Sequence, residues 1–237
     1  MAIPQLDFHG RAVVVTGGTG ALGGAVLEAL LRAGATCHVP YRNELEMQRS
    51  PHRGDARVTF VQLGLEDEDT VGRYYAGLTD LWASIHLAGG FAAAPMDKSN
   101  AGLLKNQLDS NLLTAYVCSR AAAAALRRQG RGGRIVNVAA RQALEPRLGS
   151  GSVAYTIAKA GVAALTTALG AELAKEHILV NAVAPSIMDT PANRAGMPDA
   201  DFRSWPKVEE VAATILFLAS PENAVTRGAV VPVYGGA

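Results

Sequence analysis

"VVVTGGTGALGGAV", residues 13–26, runs from a β-branched apolar stretch through a glycine-rich turn into an Ala/Leu-rich segment. Gly17, Gly20 and Gly23 fall three apart. Glycines so placed let the backbone approach a pyrophosphate, and the helix behind the turn offers unpaired N–H groups and the positive end of its dipole. Taken alone, such a turn is no more than a tight connection. At the first strand–helix junction of a chain that keeps alternating, it predicts a dinucleotide site.

The alternation does continue. Apolar runs at 11–16, 35–41, 58–63, 83–88, 134–139, 178–184 and 229–233 read as strands. Helical patterns lie between them near 21–33, 66–80, 100–129, 153–176 and 207–219. Strands that are apolar almost throughout belong in a parallel sheet covered on both faces. The expectation is α/β: one Rossmann-type, doubly wound domain over residues 1–237, with about seven strands. Two segments break the rhythm. Residues 140–152 are rich in Gly, Ser and Arg and read as a loop, and 185–206 carries four prolines. So long a connection is usually functional, and its Met188, Met197, Phe202 and Trp205 suit a lid over a substrate.

Composition narrows the partners. The 237 residues carry a net charge of +1 and are 49% hydrophobic, enough for a large core and nothing like the basic field of a nucleic-acid binder. Cys37 and Cys118 fit no metal spacing and read as buried free thiols, so no metal is expected. The N-terminus lacks the pattern of a signal peptide, and no apolar run reaches the ~20 residues of a membrane span. A cytoplasmic protein acting on a small molecule, with neither nucleic acid nor membrane as partner, is expected.

The end of the second strand bears on the cofactor. An acid about 20 residues past the glycines would hold a free ribose 2′-hydroxyl. Here the tip is Tyr41-Arg42, and Arg42 suits a 2′-phosphate while stacking on adenine. NADP is favoured; NAD is the alternative, with Glu44 reaching back to the ribose. Further on, Tyr155 and Lys159 fall one helical turn apart. An ammonium beside a phenol is expected to lower its pKa from about 10 toward the working range. The same ammonium would hold the nicotinamide ribose.

At this point the chain resembles the short-chain dehydrogenases/reductases. The resemblance rests on Thr16-Gly17…Gly23, "AGG" at 88–90, Asn111, Tyr155-x-x-x-Lys159 and Pro185-x-x-x-x-Thr190, and covers essentially the whole chain. It implies an NAD(P)-dependent oxidoreductase moving hydride between nicotinamide and a carbonyl, alcohol or conjugated imine. Tyr155 would be the general acid/base, Lys159 would bind ribose and steady the tyrosine, and Asn111 would hold a water relay. The cofactor would lie against Gly17, Thr19, Gly20, Ala21, Leu22, Gly23, Tyr41, Arg42, Ala88, Gly89, Gly90, Pro185 and Thr190. It also implies a homodimer or homotetramer built through the helices at 100–129 and 153–176.

The departures are specific. Ala21 stands where the family's loop has glycine, Gly64 where an Asp often contacts adenine, and Ser186 where glycine is common. Most consequential, the place of the catalytic serine, three residues after Asn137, holds Ala140, and counting thirteen back from Tyr155 gives Gln142. Ser150 and Ser152 lie on the same loop. Losing one such donor typically costs about 10²–10³ in rate. "AGGF" (88–91) and "DTPANRAGMPDADFRSW" (189–205) resemble dihydropteridine reductase, which also lacks the serine and keeps the Tyr and Lys. Its quinonoid dihydropterin takes hydride without a localised alkoxide. Asn193, Arg194, Asp199 and Asp201 are expected to cap and tie such a lid, with direct contact to substrate the alternative, and Phe91, Gln142, Leu144, Met188, Met197, Phe202 and Trp205 are expected to line the pocket. A nucleotide-binding sensor that has lost the chemistry, marked by Ala140, is the remaining alternative.

Overall fold

In the computed structural model, residues 6–236 are described. Seven strands, β1 (Ala12–Thr16), β2 (Thr36–Tyr41), β3 (Val58–Gln62), β4 (Leu81–His86), β5 (Gly133–Val138), β6 (Ile178–Pro185) and β7 (Val230–Val233), form one sheet in the order β3-β2-β1-β4-β5-β6-β7. Every pairing is parallel. After β3 the chain crosses to the other side of β1. The crevice above the carboxyl ends of β1 and β4 is thus the topological switch point, where α/β sheets bind ligands.

Side chains alternate across the sheet and pack two layers. Val13 and Val15 of β1 join Val26, Leu27 and Leu30 of α1 (Ala21–Arg32) and Val211, Ile215 and Leu218 of α9 (Val208–Ala219). Val14 faces the other way, toward Val71 and Tyr75 of α3 (Glu68–Ala76) and Val117, Ala122 and Leu126 of α5 (Thr114–Gln129). In α1 the buried residues recur at the spacing of one helical face. Each fully buried Leu or Val contributes about 1.5–3 kcal/mol, so Leu30→Ala would cost about 2–5 kcal/mol.

The sheet agrees with the expected strands to within one or two residues. The connections are more ordered than expected. Asn43 caps a short helix, α2 (Glu44–Gln48), by accepting from the Leu45 N–H at 3.0 Å. The span 140–152, expected as loop, holds α6 (Arg141–Leu144) and a 3₁₀ turn, Pro146–Gly149. Residues 185–206 contain α8 (Pro191–Gly196) and a 3₁₀ turn, Phe202–Ser204. The helical pattern at 153–176 ends as α7 (Val153–Glu172) with a 3₁₀ turn after it, and the one at 66–80 stops at Gly77. Helix α7 is 20 residues long, with a mean hydropathy of 1.3 over its most apolar 18 residues, and by length and composition alone could cross a membrane, although Lys159 interrupts its apolar run. Here it packs on β5 and β6, burying Ala158, Val162, Thr166 and Gly170.

Candidate active site

Two hollows, of about 280 and 330 Å³, share Gly17, Gly20, Leu87 and Gly89 and make the two ends of one trough over the switch point. A larger concavity, about 790 Å³, lies across the outer side of α1 and does not reach Tyr155 or Lys159. The chemistry belongs to the trough.

Its middle is the glycine turn. Gly17 has φ +67°, and a Cβ there would meet the Ala88 nitrogen at 2.7 Å. A Cβ on Gly23 would fall 2.1 Å from the Gly17 carbonyl oxygen. Both positions therefore require glycine, which brings the start of α1 hard against the turn. Helix α1 has no side-chain cap and no acid in its first turn, so its N–H groups are left for an anion. A dinucleotide pyrophosphate fits this cradle.

The inner end is lined by Asn111, Tyr155, Lys159, Ala139, Ala140, Pro185, Ser186, Met188, Thr190 and Asn193. Asn111 lies in a π-helical turn, Leu108–Leu113, between α4 (Ala101–Gln107) and α5. Side chains take up the carbonyls that the wider turn loosens. Ser110 Oγ donates to the Asn106 carbonyl at 2.7 Å, Asn111 Nδ2 to that of Gln107 at 3.2 Å, and Thr114 Oγ1 to that of Ser110 at 2.9 Å. Asn111 also clasps Gly90, donating to its carbonyl at 2.9 Å and accepting from its N–H at 3.3 Å. Interruptions of this kind are often found at functional sites.

Tyr155 and Lys159 share the inner face of α7. Lys159 Nζ donates to the Val138 carbonyl at 2.8 Å and lies 5.8 Å from the centre of the Tyr155 ring. Burial pushes the lysine down to about 8 and the Tyr155 phenol up to about 12. The expected lowering of the tyrosine is thus reversed, because desolvation penalises its charged form while the ammonium points to a carbonyl instead. Phe91 is 66% exposed yet stacks edge-on against Tyr155, ring centres 4.9 Å apart.

Asn137, the residue before Val138, belongs to a buried polar chain. The Tyr75 hydroxyl meets Ser84 Oγ at 2.7 Å, and Ser84 Oγ meets His86 Nε2 at 2.8 Å. His86 Nδ1 meets Asn137 Oδ1 at 2.8 Å, and Asn137 Nδ2 donates to Thr166 Oγ1 at 3.0 Å. Thr166 in turn donates to the Val162 carbonyl at 2.8 Å. With His86 neutral and its proton on Nδ1, every donor along the line has an acceptor. Burial pushes His86 down to about 4, the bond to Asn137 opposing this only in part. Nothing in the sequence pattern marked this chain, since Ser84, His86 and Asn137 are single polar residues in apolar strands and Tyr75 and Thr166 lie on two separate helices.

Among the described residues, none of the candidate serines turns its hydroxyl to the missing one's place. Ala139 and Ala140 are both buried in the wall. Ser150 is exposed, and Ser152 Oγ donates to the Gly149 carbonyl at 3.3 Å within its own turn. Ser186 Oγ donates to the Tyr234 carbonyl at 2.8 Å. Among the residues expected to face the substrate, Met188 lines the hollow, whereas Phe91, Gln142, Leu144, Met197, Phe202 and Trp205 do not. Phe202 and Trp205 pack on each other at 4.9 Å, under Arg194. Arg194 grips Asp189 with two bonds of 2.6 and 2.7 Å, Thr190 Oγ1 caps α8 through the Asn193 N–H at 3.2 Å, and Asn193 Nδ2 donates to the Met188 carbonyl at 2.8 Å. Phe202 and Trp205 thus pack within the segment, while Met188, Thr190 and Asn193 present it to the trough.

At the adenosine end, Thr19, Tyr41, Arg42, Leu65 and Ala88 line the wall together with two acids, Glu46 and Glu66. Arg42 is exposed, its Nη1 3.4 Å from Glu66 Oε1. Glu44 does not line this end and instead accepts from the Tyr41 hydroxyl at 2.8 Å, so Glu46 takes the place expected for it. Asn43 three residues before Glu46 is a helix-start signature that could have revealed α2 and hence this acid. Cys37 and Cys118 are free and buried, and no grouping of three or more metal-ligating side chains occurs among the described residues.

Comparison with known proteins converges on one family. The family model described as short chain dehydrogenase matches residues 11–201. Galactitol 2-dehydrogenase of Rhizobium johnstonii is 32% identical over 98% of this chain and 96% of its own length. L-xylulose reductase of Bos taurus is 29% identical, covering 98% of both chains. The solved structure of a short-chain type dehydrogenase/reductase from Mycobacterium ulcerans superposes with a TM-score of 0.87 at 25% identity, over 98% of this chain and 90% of that one. The chain belongs to the short chain dehydrogenase family, and it is an NAD(P)-dependent oxidoreductase.

Proposed function

We propose that this chain uses NADP in preference to NAD to reduce a small carbonyl or conjugated imine, with Tyr155 as proton donor. The observation that carries the reading is the convergence of Tyr155, Lys159 and Asn111 on one hollow that shares its glycine wall with the pyrophosphate cradle. Gly17 to Gly23 hold the pyrophosphate, Tyr41 and Arg42 the adenosine, and Ala88, Gly89, Gly90, Pro185 and Thr190 border the nicotinamide. Bound there, the nicotinamide supplies hydride. A phenol held near 12 keeps its proton at neutral pH and gives it up only as charge develops on the acceptor atom. That protonation state suits the acid role that a reduction requires. Lys159, already oriented by the Val138 carbonyl, takes ribose hydroxyls in its free donor positions. Asn111 fixes Gly90 and with it the floor beneath the ring.

The relatives act, by name, on a sugar alcohol and a sugar, which supports a small polar substrate of alcohol or carbonyl type. A pterin is the second reading. It rests on Ala140, buried in the wall without a hydroxyl, because a conjugated imine spreads the charge that a serine would otherwise meet. Residues 185–206 act as the substrate lid of a single domain. A homodimer or homotetramer in the cytoplasm completes the proposal, with the exposed Tyr116, Val153 and Ile157 of α5 and α7 offering an apolar face for it.

The test follows NADPH and NADH oxidation by absorbance with freshly made quinonoid dihydropterin, ketoses and small ketones as acceptors, alongside Tyr155→Phe. Turnover that this substitution lowers at least about 100-fold supports the proposal. Tight nucleotide binding without turnover on any acceptor would overturn it in favour of a sensor.

A further inference from the structure

Glu46, on the short helix α2, reaches the adenosine end of the trough, beyond the strand tip at Tyr41-Arg42 where an acid is expected. Its Oε2 accepts from Thr19 Oγ1 at 3.3 Å, and its Oε1 accepts from Asn43 Nδ2 at 3.2 Å. Thr19 belongs to the glycine turn and Asn43 follows Arg42 directly. The carboxylate therefore bridges the two segments that an adenosine ribose lying in the trough touches. The one cation on this wall, Arg42, is already engaged by Glu66 at 3.4 Å. One positive and two negative side chains thus line this end. A 2′-phosphate brings a charge of about −1.5 to −2 into that field, whereas a free 2′-hydroxyl brings a donor to it.

We propose that Glu46 is a specificity-determining residue. Its carboxylate competes with a 2′-phosphate for Thr19 and Asn43 and accepts a hydrogen bond from a free ribose hydroxyl, so that NAD(H) binds alongside NADP(H). The inference rests on the proposed placement of the cofactor in this trough. Because Glu46 is exposed, water and salt screen its charge. The effect is that of one surface carboxylate on a doubly charged group a few ångströms away, roughly ten-fold in affinity at low salt.

Glu46→Gln removes the charge while keeping the shape and a carbonyl oxygen for Thr19 or Asn43, so α2 keeps its anchor. Dissociation constants for NADPH and NADH, read from the quenching of intrinsic fluorescence at about 0.02 M and about 0.5 M salt, decide the question. The expected result is NADPH binding tightened roughly ten-fold at low salt and much less at high salt, with NADH unchanged or weakened about two- to three-fold. Equal shifts for both nucleotides, or none for either, overturn the assignment. The placement of the cofactor fails separately: Gly23→Ala, whose Cβ would meet the Gly17 carbonyl oxygen and force the glycine turn open, would then leave both dissociation constants of the parent chain untouched.

Discussion

Protonating His86 breaks a hydrogen-bond chain that has a direction. In the neutral state Ser84 donates to Nε2 and accepts from Tyr75, while Nδ1 donates to Asn137. A proton on Nε2 sets donor against donor at Ser84, and burial deprives the imidazolium of the solvation it has in the unfolded chain. The folded-state pKa falls from 6.5 to about 4, so between those values the unfolded chain binds more protons than the native one. Stability therefore rises with pH across this window and is lost as pH falls through it. A span of about 2.5 pH units at about 1.4 kcal/mol per unit makes the loss about 3 kcal/mol by pH 4. His86→Asn keeps a polar atom facing Asn137, gives up the Ser84 bond, and should cost about 1–3 kcal/mol at pH 7. Urea unfolding of both proteins at pH 7, 5.5 and 4 measures the difference between them, in which the carboxylates common to both cancel. The gap should narrow by about 3 kcal/mol and close or change sign near pH 4. A gap constant to within about 0.5 kcal/mol would show that His86 does not carry the strain described, and would refute the reasoning.

Adjacent glycines of α1 should respond oppositely to the same methyl group. Gly23→Ala forces the turn open and is expected to destabilise by about 1–3 kcal/mol and weaken nucleotide binding about 100-fold, whereas Gly24→Ala, with nothing within 4 Å of its Cβ, should stabilise by up to about 1 kcal/mol; calorimetry and fluorescence titration check both. Ala140→Ser sets a hydroxyl in the wall beside Tyr155 and is expected to raise turnover on ketone acceptors about 10- to 100-fold at unchanged nucleotide affinity; steady-state rates that fall on every acceptor would count against it. Asp189→Asn cuts the two-bond grip on Arg194 and should speed tryptic cleavage after Arg194 and Arg203 about three- to ten-fold with little change in global unfolding; an unchanged digestion pattern would mean the ion pair does not hold the segment.

The sheet was legible because burial on both faces writes a strand as an unbroken apolar run, and β1 with all five residues buried is the clearest case. The glycine turn was legible for a related reason, since a Cβ at Gly17 or Gly23 meets backbone. Short helices were not. Helix α2 buries none of its residues and α6 spans four, so neither shows a periodic stripe, and only the Asn43–Glu46 spacing announces α2. Direction of side chains was the least legible. Phe202 and Trp205 have the composition of a substrate lid, but they satisfy each other and Arg194. The tyrosine's pKa depends on where one ammonium points, and the Val138 carbonyl that captures it leaves no trace in residue type.

Asn111 owes its position to a miscount. Side chains on an α-helix advance by about 100° per residue, so a turn with one residue too many shifts the phase of all that follows. Within Leu108–Leu113 the side chains of Ser110 and Asn111 reach the trough, and downstream Val117, Cys118, Ala122 and Leu126 meet the sheet. A perfectly regular helix of this length would have to give one of these faces up. The extra residue makes the rod behave as two gears fixed on one shaft with their teeth offset. Shortening the chain by one residue here would align the teeth and leave a more regular helix, with Asn111 swung about a quarter-turn away from Gly90.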